Sequence, residues 1–391
     1  MTEKLFYEDS YMTEFTARVE MCREKAEHFE VVLDRTAFFP EGGGQYADTG
    51  YLEDVRVLDV QEKNGIICHT VEAALEEGSM VSGKIDWDMR FMKMQQHTGE
   101  HIVSGLIHSR FGYDNVGFHL GSADCTMDFN GEITREQLKE IERLANEAAV
   151  KNLEVQVSYP SDSELETLEY RSKIEIDGQV RIVTVPGYDV CACCAPHVER
   201  TGETGIIKLT NVQRYKGGAR VTMLCGFRAL ADYGEKEYHV KNISSQLCAK
   251  EDEVSEAVTR LKEECVQLKM KLAQAQEKLL EYKAKEIPAD EDFVCLFEKD
   301  LEGDSPRLLV NQVLAQGREG CAVFWNIGEA GFRYVIGSKS MDVRPLVKAL
   351  NEQFDGRGGG KPEMVQGSLK GQETDIRIWM QKKVGKQKDE Q

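Results

Sequence analysis

The stretch QQHTGEHIVSGL, residues 95–106, places His97 and His101 four positions apart in a segment whose pattern predicts a helix. Side chains at positions i and i+4 of a helix lie on one face, so both imidazole rings are able to bind the same metal ion. Two histidines do not complete a zinc site, which takes four ligands. The remaining ligands must therefore come from another part of the chain.

A second ligand-rich segment is GYDVCACCAPHVERTGETG, residues 187–205, in which Cys193 and His197 are again four positions apart. The chain thus contains an H-x3-H pair and a C-x3-H pair, and this mixture of nitrogen and thiolate ligands suits tetrahedral zinc. Cys191 and Cys194 compete with Cys193 as the thiolate ligand, and spacing alone does not choose among them. The alternative interpretation is a set of unrelated packed histidines and buried thiols.

Composition limits the class of protein. The 391-residue chain carries a net charge of −19, which argues against indiscriminate binding of nucleic acid but allows local basic patches. Eleven cysteines, an odd number, favour a reducing compartment over a disulfide framework. The acidic start is unlike a secretory signal, and no apolar run reaches the 18 or so residues of a membrane span. We therefore expect a cytoplasmic protein without a membrane segment.

The hydrophobic pattern predicts an α+β protein with four regions. Short strand-like runs over residues 1–90 predict a small β-barrel, with a sandwich as the alternative. Mixed helices and strands over 91–240 predict an α+β domain that carries the zinc ligands. TREQ, residues 134–137, has the form of a capping box at a helix start. A helical connector is expected over 241–288 and a compact α/β domain over 289–391. In that last domain GGGKP, residues 358–362, is expected to form a loop.

The connector contains a heptad pattern that Pro288 ends. Its apolar positions are Val254, Val258, Leu261, Cys265, Leu268, Leu272, Ala275, Leu279 and Tyr282. This seam predicts a coiled coil or helical hairpin that sets the spacing of the domains or joins two chains as a homodimer through residues 254–282. Packing of the helix on its own domain is the alternative.

A third motif is FFPEGGGQYADTG, residues 38–50. Consecutive glycines, among them Gly43 and Gly44, let the backbone approach a ligand closely or adopt positive φ. Gln45 follows and offers both a hydrogen-bond donor and an acceptor. A tight hairpin is the alternative explanation for the three glycines.

Together these motifs resemble the editing domain of alanyl-tRNA synthetase and its free-standing relatives, the AlaX proteins. FFPEGGGQYADTG, HTGEH and CCAPHVERTGETG occur in the family's order, and GRGGGKPEMVQGS (356–368) resembles the C-terminal DHH-associated domain of that synthetase. The resemblance covers nearly the whole chain and is to the long, stand-alone AlaX form. One departure is Cys193-Cys194-Ala195-Pro196-His197, where the family commonly has Cys-Gly-Gly-Thr-His, which affects how the amino acid is recognised.

The resemblance implies hydrolysis of tRNA(Ala) mischarged with serine, and also with glycine. It implies that His97, His101, Cys193 and His197 hold Zn2+, and that Gly43, Gly44 and Gln45 form the catalytic pocket. Such an enzyme is needed because a pocket shaped for alanine cannot strongly reject serine, which only adds a hydroxyl. A zinc ion with an open position would activate water, whereas one bound by all four side chains would organise the site.

Two further polar residues, Glu100 and His108, lie near the helix motif. Glu100 lies between the two histidines, but on an ideal helix it points away from their face, so a catalytic role is not expected. His108 shares the face of His101 seven residues later, and we expect it to be packed rather than bound to metal.

RNA contacts are expected from local basic clusters, because the overall charge repels RNA. The candidates are Arg214, Lys216 and Arg220, then Arg357, Gly358, Gly359, Gly360 and Lys361, and finally Lys382 and Lys383 in the run MQKKVGKQK. The resemblance favours the last two clusters, because the C-terminal domain of the family is taken to grip the tRNA elbow.

Three other functions were considered. One is a Ser-tRNA(Thr) deacylase, because the related editing domain of threonyl-tRNA synthetase uses similar paired motifs. Another is a non-catalytic tRNA-binding protein with a structural zinc. A DHH phosphodiesterase is excluded by the lack of an Asp-His-His motif anywhere in the sequence.

Overall fold

The structure is a computed structural model of the 391-residue chain. It describes residues 1–121, 124–172, 179–288, 291–299, 301, 303–328 and 331–386. The chain divides into two compact units, Met1–Asn242 and Ile243–Gln391. The predicted mixture of helices and sheets is confirmed, whereas the finer four-domain division stays a prediction. Within the described residues, none of the helices has the length and apolar character needed to cross a membrane.

The first strands form a closed barrel. The elements are β1 Glu3–Lys4, α1 Leu5–Glu8, β2 Glu14–Lys25, β3 His28–Leu33, β4 Arg35–Thr36, β5 Gly50–Leu52, β6 Val55–Lys63, β7 Ile66–Val71 and β8 Met80–Ile85. Six strands pair in the closed order β2-β3-β7-β6-β5-β8, and β1 pairs with β4. Alternate residues of β2 and β8 are buried, as the two-residue period of a strand requires, and they fill the interior. Of the barrel and the sandwich, the barrel is the arrangement observed.

The rest of the first unit is α+β. Its elements are α2 Trp87–Phe111, β9 Asn115–Leu120, β10 Cys125–Phe129, α3 Arg135–Lys151, β11 Gln156–Ser158, α4 Asp162–Leu165, β12 Ile182–Val185, β13 Asp189–Ala192, β14 Ile207–Tyr215 and β15 Gly218–Cys225. Two antiparallel sheets form, in the orders β14-β15-β10-β9 and β11-β12-β13. The predicted capping box is present, since the Thr134 hydroxyl accepts from the Gln137 N–H and the Gln137 side chain accepts from the Thr134 N–H.

Helix α2 is the central element of this unit. Every residue from Met92 to Ile107 is buried, including the polar ones, and each buried polar group needs a partner. Gln96 donates to the Cys225 carbonyl and accepts from the Cys225 N–H, while Gln95 donates to the Glu203 carbonyl. These bonds attach α2 to the end of β15 and to the last residues of the cysteine-rich segment, residues 187–205.

The second unit combines a long helix with a five-stranded sheet. From α5, which begins in the first unit, the elements are α5 Gly226–Leu247, α6 Val254–Glu286, β16 Phe293–Glu298, α7 Ser305–Ala315, β17 Gly320–Asn326, β18 Phe332–Ser338, α8 Arg344–Gln353, β19 Arg357–Lys361, β20 Met364–Leu369 and α9 Glu373–Lys386. The sheet order is β16-β17-β18-β20-β19. Helix α6 ends just before Pro288, as predicted. The glycine-rich stretch was expected to be a loop but is the edge strand β19, so that expectation was wrong.

Candidate metal centre

The two ligand pairs meet in space. His97 and His101 project from α2, while Cys193 and His197 lie in the segment that follows β13. One ligand atom from each of these four residues lies within 4.8 Å of the other three. The three histidines are almost fully buried. The sequence separation of about ninety residues is therefore closed by packing of the cysteine-rich segment against α2.

Each histidine ring has a polar side chain close to its Nδ1 atom. The Nδ1 atom of His97 lies 3.1 Å from Oε1 of Gln45, and that of His197 lies 3.0 Å from Oγ1 of Thr98. The Nε2 atoms of these two rings face Cys193, at 3.5 and 3.4 Å from its Sγ atom. An acceptor at Nδ1 keeps the proton there and leaves the Nε2 lone pair for a metal ion.

His101 has a charged neighbour instead of a neutral one. Its Nδ1 atom lies 2.8 Å from Oδ2 of Asp189, whose two oxygens also accept from Arg171 at 2.7 and 2.8 Å. Burial tends to raise the pKa of Asp189, but the bonds from His101 and Arg171 outweigh burial and hold that pKa below its ordinary value. A carboxylate behind a histidine is a common support for a metal ligand. Asp189 and Arg171 were missed at the sequence level because no local spacing marks them.

The three cysteines occupy different places. Cys193 alone belongs to the cluster of three histidines, whereas Cys191 groups with His101 and Asp189. Cys194 lies against the glycines, since a Cβ atom on Gly43 would be 3.2 Å from its Sγ atom. The geometry thus favours Cys193 over the other two thiols as the fourth ligand.

The charge state of the cluster fits a cation. Burial raises the pKa of the Cys193 thiol, and burial, with the neighbouring histidines, lowers the pKa of His197 well below its ordinary value. Without a cation the cluster would therefore hold a neutral thiol and a neutral imidazole. A bound metal ion stabilises the thiolate that these surroundings otherwise disfavour. The donor set, three imidazole nitrogens and one sulfur, fits a metal ion of intermediate softness.

The GGGQ loop, residues 37–48, lies beside the cluster. Gly43 and Gly44 have φ of +60° and +80°, and a Cβ atom on Gly44 would lie 2.3 Å from the Phe118 carbonyl oxygen. Only glycine fits there. Gln45 is 1% exposed, and its Nε2 atom has no hydrogen-bond partner among the described residues. The amide therefore holds His97 through its oxygen and keeps a donor for a bound molecule.

Two expectations about neighbouring residues were wrong. Glu100 was expected to point away, yet its Oε2 atom is 3.8 Å from Nε2 of His101, while Oε1 accepts from Ser104 and Asn115. The Glu100 side chain is long enough to reach His101, although its Cα–Cβ bond points away from the face of the two histidines. His108 was expected to be packed, but it is exposed and pairs with Asp114 at 3.0 Å. It lies beyond the buried part of α2 and far along the helix from the cluster.

The predicted RNA-binding residues divide into three groups. The Nε and Nη2 atoms of Arg220 donate to the two carboxylate oxygens of Asp128. Arg214 lies 3.3 Å from Glu132, so both of these arginines already form ion pairs. Lys216 lies over the Tyr215 ring at the β14–β15 turn. The remaining candidates belong to the second unit: Arg357, Gly358, Gly359, Gly360 and Lys361 are exposed along β19, and Lys382 and Lys383 are exposed on α9.

Comparison with known proteins agrees with this arrangement. A family model described as tRNA synthetases class II (A) matches residues 2–89. A second model, described as the threonyl and alanyl tRNA synthetase second additional domain, matches residues 180–262, which include Cys193 and His197. The alanyl-tRNA editing protein AlaX-L of Pyrococcus horikoshii is 27% identical over 96% of this chain and 96% of its own length. The alanyl-tRNA editing protein Aarsd1 of Rattus norvegicus is 29% identical over 92% of each chain.

The chain also matches part of a longer group of proteins, the alanine–tRNA ligases. The alanine–tRNA ligase of Pyrobaculum neutrophilum is 32% identical over 95% of this chain, which spans 43% of the ligase. The chain thus spans less than half the length of the ligases it matches, whereas it matches the editing proteins over nearly their full length.

The close approach of the GGGQ loop to β9 gives a stability prediction. Gly44→Ala should destabilise the fold more than Gly78→Ala, although both positions have a φ near +80°. Gly78→Ala is the control, because there is open space around the Cβ position of Gly78. Its free energy of unfolding should fall only by the ~1–2 kcal/mol that a left-handed conformation costs a non-glycine residue. Contact with the Phe118 carbonyl should add about 1–3 kcal/mol at Gly44. Denaturant unfolding measures both, and equal losses would contradict the close approach.

Proposed function

We propose that this protein is an aminoacyl-tRNA hydrolase that deacylates tRNA(Ala) mischarged with serine, and also with glycine. The observation that carries the proposal is the cluster of His97, His101, Cys193 and His197 beside a buried Gln45 with a free donor. The names of the two relatives matched over their full length describe alanyl-tRNA editing. The reaction is hydrolysis of the ester between the amino acid and the terminal ribose.

The metal we propose is zinc, held by Nε2 of the three histidines and the Cys193 thiolate. This mixture of nitrogen and sulfur ligands in a four-residue set is typical of zinc. A bound zinc ion would anchor the substrate amino group or polarise the ester carbonyl. Thr98, Asp189 and Gln45 each hold one histidine in the orientation that such binding requires.

We propose that Gln45 supplies the selectivity for serine. Its Nε2 atom is buried and unpaired, so a serine hydroxyl within reach would accept a hydrogen bond from it. Alanine would leave this donor desolvated and unpaired, which costs about 1–3 kcal/mol. The fixed amide thus opposes hydrolysis of correctly charged Ala-tRNA(Ala). Glycine has no hydroxyl to accept the bond, so we expect slower hydrolysis of Gly-tRNA(Ala).

Deacylation of four charged tRNAs tests this function. Purified protein should hydrolyse Ser-tRNA(Ala) fastest and Gly-tRNA(Ala) more slowly. Ala-tRNA(Ala) should be slower than Ser-tRNA(Ala) by about 5–150-fold, which is the rate difference that a cost of about 1–3 kcal/mol gives. Gln45→Ala should narrow that difference, because the donor that distinguishes the substrates is gone. Faster hydrolysis of Ser-tRNA(Thr) would support the threonyl alternative. No hydrolysis of any of these tRNAs, with zinc present, would support a non-catalytic tRNA-binding protein.

We further propose that tRNA is bound through the second unit. Arg357 on β19 and Arg333 on β18 both stand opposite Ser368 of β20, so their side chains lie on one face of the sheet. Together with Arg307 and Trp325 they line a cavity of about 720 Å³. None of these three guanidinium groups forms an ion pair with a described acidic side chain. Unpaired arginines beside an aromatic ring suit an RNA backbone with a stacked base.

The glycines of β19 have a packing role that limits this proposal. A Cβ atom on Gly358 would lie 2.2 Å from the Tyr334 hydroxyl, and one on Gly360 would lie 2.3 Å from the Met364 carbonyl oxygen. Gly359 has open space around its Cβ position. Of the three, only Gly359 is left to give a ligand close access to the backbone.

Substitution of the cavity arginines tests the RNA surface. Arg333→Gln with Arg357→Gln should weaken tRNA binding and lower the slope of log affinity against log salt by about 0.7–0.9 for each lost phosphate contact. Lys370→Gln is the control, because Lys370 is exposed and paired with Asp355. Filter binding across a salt series gives both quantities. Unchanged affinity and slope in the double variant would place the RNA elsewhere.

We also propose that α6 joins two chains. Leu261, Leu268 and Leu272 of the predicted seam are each about half exposed, so no described part of the same chain covers them. The buried residues of α6 are Ala257 near its start and Leu280 and Ala284 near its end, and the last two lie in the core of the second unit. A helix with a long exposed apolar seam is typical of a coiled-coil partner.

The oligomeric state tests the seam. Leu261→Asn with Leu268→Asn should convert a dimer into monomers, because each removes an apolar side chain from the core of the coiled coil. Met270→Asn is the matched control, since Met270 is equally exposed but lies on the opposite side of the heptad. Light scattering measures the mass of each protein. A monomeric unsubstituted protein would contradict the proposed dimer.

A further inference from the structure

Helix α2 carries two buried cations on the same stripe as two of the candidate ligands. Arg90, Lys93, His97 and His101 are spaced by three, four and four residues, so they follow one face of the helix. Arg90 is 0% and Lys93 1% exposed. Burying two cations is unfavourable unless each is paired and hydrogen-bonded. Both cations lie within two helical turns of His97, and the proposed hydrolysis gives neither of them a role.

Both cations bind one carboxylate, that of Asp48. The Arg90 Nε atom donates to Oδ2 of Asp48 at 2.8 Å, and the Lys93 Nζ atom lies 3.4 Å from Oδ1. Asp48 is itself 1% exposed, and its Oδ2 atom accepts from the Phe39 N–H at 2.8 Å. The charge of the carboxylate is thus shared by two cations of α2, while it also bonds to the backbone at the start of the GGGQ loop.

The same cations bind the backbone at both ends of the GGGQ loop. Nη2 of Arg90 donates to the Ala37 carbonyl at 2.6 Å, and Nζ of Lys93 donates to the Ala47 carbonyl at 2.5 Å. The Lys93 ammonium also lies 4.1 Å from the centre of the Tyr46 ring. The two ends of the loop are therefore held on consecutive turns of α2.

The tip of the GGGQ loop meets the next turn of the same helix. Gln45 is three residues before Asp48, and His97 is four residues after Lys93. The bond between Gln45 and His97 therefore lies one helical turn from the anchored end of the loop. On its other side the tip is fixed to β9, because the Gly44 carbonyl accepts from the Leu120 N–H.

We propose that Arg90, Lys93 and Asp48 form a loop anchor whose function is to position the Gln45 amide over the metal cluster. They are positioning residues, because none of them belongs to the cluster of candidate ligands and they act through Gln45. The inference rests on the proposed hydrolase function for its kinetic consequence, but the mechanical part stands on the contacts alone. A loose anchor would let the amide move away from the reacting ester, which lowers the rate without removing a metal ligand.

A double-mutant cycle distinguishes positioning from a general loss of stability. Lys93→Met keeps the volume of the side chain but removes one cation, and it should lower the single-turnover rate constant for Ser-tRNA(Ala) by up to about 100-fold. Zinc content and tRNA affinity should be unchanged. On a Gln45→Ala background the same substitution should change the rate by no more than about twofold, because the group it positions is absent. Equal effects on both backgrounds would overturn the proposal.

Hydrogen exchange separates the anchor from the proposed activity. In Lys93→Met, amides of residues 37–48 should exchange faster, while peptides from the barrel strands should keep their rates. Lys208→Met is the matched control, since Lys208 pairs with Glu142 away from the loop. If Lys93→Met fails to fold, the isosteric Asp48→Asn serves in both experiments. Unchanged exchange over the loop would contradict the anchor even if the protein proved not to hydrolyse any tRNA.

Discussion

The burial of α2 is the constraint on which the first unit depends. A helix whose sixteen residues from Met92 to Ile107 are all buried must find a partner for every polar side chain it carries. Those partners come from several neighbouring segments of the unit. The GGGQ loop binds Lys93 and His97, the cysteine-rich segment binds Thr98, and the end of β15 binds Gln96. The site is therefore the place where the partners of one polar helix meet.

The electrostatics of the two units are complementary to the proposed substrate. In the first unit burial raises the pKa of the Cys193 thiol, so a cation is required to stabilise its thiolate. In the second unit arginines that form no ion pair with a described acidic side chain line a cavity, although the chain as a whole carries a charge of −19. A polyanion with a reactive ester at one end needs both features, one for chemistry and one for affinity.

Much of this arrangement was visible in the sequence, because local patterns mark it. The four-residue pairs predicted that His97, His101, Cys193 and His197 would meet, and the capping box predicted the start of α3. The positioning residues were not visible, since Asp189 and Asp48 act through contacts between distant segments that no spacing records. Two failures have local causes. Helical period alone misplaced His108, which lies beyond the buried part of α2, and glycine content alone misread β19 as a loop.

X-ray absorption at the zinc edge tests the metal centre most directly. Protein loaded with one equivalent of zinc should show three nitrogen ligands at about 2.0–2.1 Å and one sulfur ligand at about 2.3 Å. The sulfur contribution should disappear in Cys193→Ser and persist in Cys191→Ser and Cys194→Ser. A protein that binds no zinc, or a sulfur ligand that survives in Cys193→Ser, would contradict the metal centre described above.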